Sequence, residues 1–175
     1  TTIKPRIMDG MPFIEECGIT REMLLGYKKI FIVACGTAMH AGLVAKALFE
    51  NLCNIPTEVD VASEFRYRNP LIDDKTLCVF ISQSGETADT IAALKLAKEQ
   101  GATTISVVNV IGSSITRVSD YVLYTHAGPE IAVASTKAYV TQLAAFYILG
   151  LYFASLKGTM SETEIEEISS AFGAN

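Results

Sequence analysis

The chain has 175 residues, half of them hydrophobic, and 14 Lys and Arg against 19 Asp and Glu leave a formal charge of −5. That length suits one domain, long enough to bury about 70% of its unfolded surface without a staple. The acidic balance argues against nonspecific nucleic-acid binding, which needs many phosphates neutralised by Lys and Arg.

Residues 1–28 read as a lead-in arm. Pro5, Gly10, Pro12 and Gly18 break it up, and a short helix then runs from Thr20, a plausible N-cap, to Leu25 before Gly26. Thr1-Thr2-Ile3-Lys4-Pro5 has neither an apolar run nor an initiator Met, so an internal segment is expected rather than a signal peptide. Residues 29–157 are regular. Ile30 to Cys35 is a continuous apolar run of the kind a parallel strand shows when both its faces are covered. Apolar residues then recur at helical spacing from Met39 to Leu52, and Pro56 forces the chain out of that helix. Further strands are expected at Thr57 to Val61, Thr76 to Ile81, Thr103 to Val108 and Tyr121 to Thr125. A helix is expected from Ala88 to Gln100, with Ile91, Leu94, Leu96 and Ala97 inward and Gly101 as its stop. Alternating strands and helices predict an α/β fold: a three-layer α/β/α sandwich around a five-stranded parallel sheet of flavodoxin-like order.

Ala138 to Leu156 is apolar enough to approach the ~20 residues that span a bilayer, with Thr141 and Gln142 its only strongly polar members. It holds Ala, Gly150 and three tyrosines and follows an α/β pattern, so a buried core helix is expected, packed on more than one face against a partner subunit or a further domain. Residues 158–175 contain Ser161-Glu162-Thr163-Glu164, a capping box, and place Ile165, Ile168 and Phe172 on one stripe of a helix that is expected to lead to another domain.

Ligands of open parallel sheets bind beyond the carboxyl ends of the strands, at the switch point where neighbouring connections diverge. In the order 2-1-3-4-5 that point lies between the loops Cys35-Gly36-Thr37-Ala38 and Ser82-Gln83-Ser84-Gly85-Glu86-Thr87. Ser82, Ser84 and Thr87 offer hydroxyl donors, and Gly36 and Gly85 let backbone N–H groups approach an anion at a helix N-terminus, where the dipole adds roughly +0.5 of a charge. This is a phosphate cradle without a lysine, and neither a Walker loop nor a G-x-G-x-x-G turn. Ser and Thr also cap helices routinely. Capping accounts for Thr37 taken alone and for Ser135 and Thr136 before the long helix, although the Glu130 to Lys137 segment could also close over the same sheet end. The hexapeptide holds more hydroxyls than a cap needs.

Catalytic equipment is thin. His40 and His126 read as surface or packing histidines, Glu64 and Glu86 have no visible carboxylate partner, and Glu86 is expected to favour the N-terminus of its own helix. Cys17, Cys35, Cys53 and Cys78 form no C-x-x-C pair, so no zinc half-site or disulfide framework is expected, and a reduced, cytoplasmic protein is.

Four strings carry a family resemblance: Cys35-Gly36-Thr37, Ala62 to Arg68 (A-S-E-F-R-Y-R), Ser82 to Thr90 (S-Q-S-G-E-T-A-D-T) and Val133 to Lys137 (V-A-S-T-K). Together they resemble the sugar isomerase (SIS) family, and within it the first lobe of the isomerising glutamine:fructose-6-phosphate aminotransferases. The resemblance implies a metal-free and cofactor-free site for an open-chain sugar phosphate, fructose 6-phosphate or glucosamine 6-phosphate. It implies contacts from Thr37, Ser82, Gln83, Ser84 and Thr87 around the phosphate and from Val133 and Ser135 near the sugar. Ala38 stands where the family usually has Ser, so only its backbone N–H can serve there. The resemblance further implies a homodimer, and a glutaminase domain and second SIS lobe that supply the ammonia and the catalytic Glu, Lys and His; no catalytic residue is expected in this chain. A regulatory or standalone SIS module that senses a phosphosugar is the alternative.

Overall fold

The computed structural model describes residues 2–129 and 136–173. Its first residues form a 3-10 turn, Lys4–Arg6, and a minimal antiparallel hairpin, β1 (Ile7–Met8) with β2 (Met11–Pro12). A second 3-10 turn (Glu15–Cys17) leads to α1 (Arg21–Gly26), where Thr20 Oγ1 accepts a hydrogen bond from the N–H of Met23 at 3.2 Å. Ile14, Cys17, Ile19 and Leu24 of this arm are buried in the main core. Burying an aliphatic side chain contributes about 1.5–3 kcal/mol relative to leaving it exposed. Arg6, only 3% exposed, ties the arm to the far edge of the sheet: its guanidinium donates to the carbonyls of Thr2 and Tyr124 and to Glu16 Oε1, each at 2.7 Å. A buried cation is tolerated when paired in this way.

The sheet consists of β3 (Lys29–Ala34), β4 (Thr57–Val61), β5 (Thr76–Ser82), β6 (Thr103–Val108) and β7 (Tyr121–Tyr124). All neighbours are parallel and the order is β4-β3-β5-β6-β7, the flavodoxin-like arrangement, with the switch point between β3 and β5. Period-two alternation sorts the apolar runs into two cores. Ile30, Ile32 and Ala34 of β3 and Leu77, Val79 and Ile81 of β5 face one helix layer; Phe31, Val33, Cys78 and Phe80 face the other.

The first layer holds α1, α2 (Thr37–Cys53) and the long α6 (Thr136–Lys157); the second holds α3 (Ala62–Phe65), α4 (Ala88–Glu99) and α5 (Ser114–Val118). In α4 the fully buried residues are Thr90, Ala93, Leu94 and Ala97, while Ile91 and Leu96 are half-buried against the same core. The stripe is centred one position earlier than the large apolar residues suggest, because small side chains let the helix sit close to the sheet. By length and composition α6 could cross a membrane, yet half of its most apolar window is buried in this fold. Much of its cover comes from within the chain: α1, α2, β2 and α7 (Glu162–Gly173) pack against it, with the Tyr147 and Phe172 rings 5.5 Å apart. All four cysteines are free thiols, and burial pushes Cys17, Cys53 and Cys78 up to about 12.

Candidate functional site

The loops after β3 and β5 leave the switch point in opposite directions, α2 rising on one face of the sheet and α4 on the other. Gly36 is the N-cap of α2 at φ +59° and ψ −137°, with open space where a Cβ would project, so its backbone angles alone require glycine there. Gly85 is constrained twice: φ is +69°, and a Cβ would lie 2.1 Å from Ser113 Oγ. The β5 loop is also braced by its own hydroxyls. Ser82 Oγ accepts from the N–H of Gly85 at 3.0 Å, and Ser84 Oγ accepts from the N–H of Glu86 at 3.2 Å. With each oxygen oriented by a backbone donor, the hydroxyl hydrogen is left to donate elsewhere. Ser82 Oγ also lies 3.3 Å from Thr87 Oγ1.

A cavity of about 230 Å³ sits between the loops. Among the described residues it is lined by Cys35, Gly36, Thr37, Ala38, Ile81, Ser82, Gln83, Ser84, Thr87 and Gln142. Thr37, Ala38, Ser82, Gln83, Ser84 and Thr87, expected to cooperate, are thus brought to one rim. Val133 and Ser135 lie outside the described residues. Neither helix start at the cavity is capped by a side chain: Gly36 has none to offer, and Thr87, the N-cap of α4, makes no capping bond. Thr37 is the first residue of α2 rather than its cap. Two helix N-termini, of 17 and 12 residues, therefore present first-turn N–H groups to one space. No carboxylate, histidine, lysine or arginine lines it among the described residues. The arrangement can hold an anion through neutral donors and helix dipoles.

Glu86 corrects one expectation. Its carboxylate does not serve α4; Oε1 accepts from the N–H of Ser114 at 2.8 Å and so caps α5. Those bonds from Ser114 hold its carboxyl below the usual range. The side chain is thereby turned away from the cradle, where its charge would oppose an anion. His40 and His126 are exposed and do not line the cavity, and His126 sits beside the Tyr124 ring. The residue that sequence reasoning missed is Gln142, 3% exposed in the second turn of α6. Its signal was its position: the one polar member of the stripe Ala138, Gln142, Ala145, Phe146 and Leu149.

The SIS domain family profile matches residues 23–152, which takes in the whole sheet, both loops and most of α6. The chain belongs to the SIS domain family. Over 168 residues this SIS domain is 60% identical to the isomerising glutamine–fructose-6-phosphate aminotransferase of Clostridium tetani, covering 95% of the chain and 28% of the relative. The Caldanaerobacter subterraneus enzyme of the same name is 59% identical over 170 residues, with 97% and 28% covered. The SIS domain thus spans little more than a quarter of these relatives. Among solved structures, the C-terminal domain of glucosamine-fructose-6-phosphate aminotransferase from Francisella tularensis superposes with a TM-score of 0.91 at 40% identity, covering 98% of this chain and 48% of that one.

Proposed function

We propose that this SIS domain is the sugar-phosphate-binding lobe of an isomerising glutamine:fructose-6-phosphate aminotransferase, which converts fructose 6-phosphate and glutamine to glucosamine 6-phosphate and glutamate. One observation carries the reading: two uncapped helix N-termini and the hydroxyls of Ser82, Ser84 and Thr87 converge on a cavity with no charged side chain among its described lining. The phosphate lies at the start of α4, taking hydrogen bonds from Ser82, Gln83, Ser84 and Thr87, with Thr37 and the backbone N–H of Ala38 closing from α2. Val133 and Ser135 meet the sugar. At about 230 Å³ the cavity falls below the ~300 Å³ at which pockets for whole small ligands begin, so it suits the phosphate and the carbons beside it.

In this reading the lobe anchors the substrate and supplies no acid or base. A second SIS lobe and a neighbouring subunit complete the reacting end, a glutaminase domain supplies ammonia, and the assembly is a cytoplasmic homodimer. The test is a titration of the 175-residue chain with fructose 6-phosphate, glucose 6-phosphate and inorganic phosphate, following backbone amides 82–87 by NMR. All three ligands shift those amides if the cradle is a phosphate site, and none yields glucosamine 6-phosphate when glutamine is added. Unmoved amides at millimolar ligand, or turnover by the chain alone, would refute the proposal.

A further inference from the structure

We infer that Gln142 reads a hydroxyl of the bound phosphosugar next to its phosphate, and so sets the preference of this lobe for a sugar phosphate over phosphate itself. The inference rests on the reading of the cavity as a sugar-phosphate site.

Gln142 is the one polar residue among the ten of α6 that are buried. It is 97% covered, lines the cavity together with both loops, and has no hydrogen-bond partner among the described residues. Folding gives no reason for it. Its neighbours one turn away on the same face are Ala138, Ala145 and Phe146, all buried, and an aliphatic side chain there would continue the stripe without desolvating an amide. The Gln142 amide is not among the fully buried unpaired atoms of the described residues, so its polar end opens on the cavity, where a bound ligand would meet it.

The chemistry of the amide identifies that partner. A carboxamide carries an acceptor oxygen and two N–H donors. A phosphate dianion only accepts, so it could satisfy one half of the group and would leave the oxygen unpaired. A sugar hydroxyl donates to Oε1 and accepts from Nε2, satisfying both halves at once. The phosphate needs no help from this side, since two helix starts and the hydroxyls of Ser82, Ser84 and Thr87 already line the cavity. Among the described lining residues Gln142 is the one that α6 supplies.

The test uses two variants of the 175-residue chain, Gln142→Met, which keeps the length without the amide, and Gln142→Ala, which removes it without filling the cavity. Each is titrated with fructose 6-phosphate, ethyl phosphate and inorganic phosphate, and its urea midpoint is measured. Both variants should bind fructose 6-phosphate roughly tenfold more weakly, as loss of about one hydrogen bond to a ligand implies. Affinity for ethyl phosphate and inorganic phosphate should hold, and Gln142→Met should unfold at equal or higher urea. Unchanged fructose 6-phosphate affinity in both variants, or equal losses for all three ligands, would overturn the assignment to Gln142 while leaving the phosphate cradle in place. A wild-type chain that binds none of the three overturns the cradle and this inference together.

Discussion

Helices α1 and α7 begin differently from α2 and α4. Thr20 caps α1, and Ser161 and Glu164 cap α7 reciprocally: Glu164 Oε2 accepts from the N–H of Ser161 at 2.9 Å, and Ser161 Oγ accepts from the N–H of Glu164 at 3.3 Å. Even five-residue α5 borrows a cap from Glu86. The two helices that start at the switch point have no side-chain cap. A cap is worth ~0.5–2 kcal/mol, so its omission at two long helices forgoes stability that the rest of the chain secures. The difference teaches that α1, α5 and α7 have their first-turn N–H groups closed off by side chains, while the two long helices at the switch point leave theirs open where an anion is to be held. Only the four-residue α3 is likewise uncapped among the other described α-helix starts.

The comparison breaks most sharply if an open helix start is closed. Thr87 has φ −65° and ψ 112°, backbone angles that an N-cap residue adopts, so Thr87→Asp can accept from the first turn of α4 without strain. The variant should bind fructose 6-phosphate at least ~100-fold more weakly, because a like charge beside the phosphate costs several kcal/mol. It should also raise the stability of the free chain by about 0.5–1 kcal/mol, read from the urea midpoint. Retained affinity in a variant with raised stability would sink the idea that open N–H groups hold the ligand.

Gly85→Ala tests the same loop through its backbone. The φ of +69° costs ~1–3 kcal/mol for a side-chain residue, and the contact with Ser113 Oγ adds to that. Stability should fall by at least ~1 kcal/mol and phosphate affinity with it. Gly36→Ala, with open space around the added methyl, should lose stability from the backbone angles alone and therefore less. Equal losses at the two glycines would show that the crowding at Gly85 is relieved at no cost. Ser161→Ala is the counterpart at a closed helix: about 1 kcal/mol of stability is lost and ligand affinity is untouched.

The fold was legible because its signals are local. Continuous or alternating apolar runs place all five strands within a residue or so, and the α/β alternation implies the switch point at β3 and β5. The cradle hydroxyls were legible for the same reason, falling within one hexapeptide. What sequence could not show is tertiary. The arm carries no period, because two-residue strands and 3-10 turns have none, yet Ile14 and Cys17 are core residues. Glu86 looked like the cap of the helix that follows it and serves another one, 28 residues on. Gln142 stood out in the sequence only as one of two strongly polar members of an apolar run, and only the meeting of α6 with the two loops gives it a place in the cavity.

The smallest effects separate the two kinds of helix start by pH. Hydrogen bonds from Ser114 hold the Glu86 carboxyl below its ordinary value, and those from Ser161 do the same for Glu164. Between the ordinary Glu value near ~4.3 and the lower folded value, the unfolded chain binds more protons than the native one. The stabilisation from these caps is therefore whole above that window and is lost as pH falls through it. The cradle has no carboxylate or histidine among its described lining, and the ligand brings a titratable group of its own, whose second phosphate ionisation lies near ~6. Affinity for fructose 6-phosphate should drop between pH 7.5 and 5.5, while the urea midpoint stays nearly level across that range and falls only below about pH 4.5. Ser161→Ala should shallow the acid limb of the stability profile and leave the affinity profile alone. Affinity that is flat through pH 6 would mean the cradle does not distinguish the dianion, and the two open helix starts would then need another explanation.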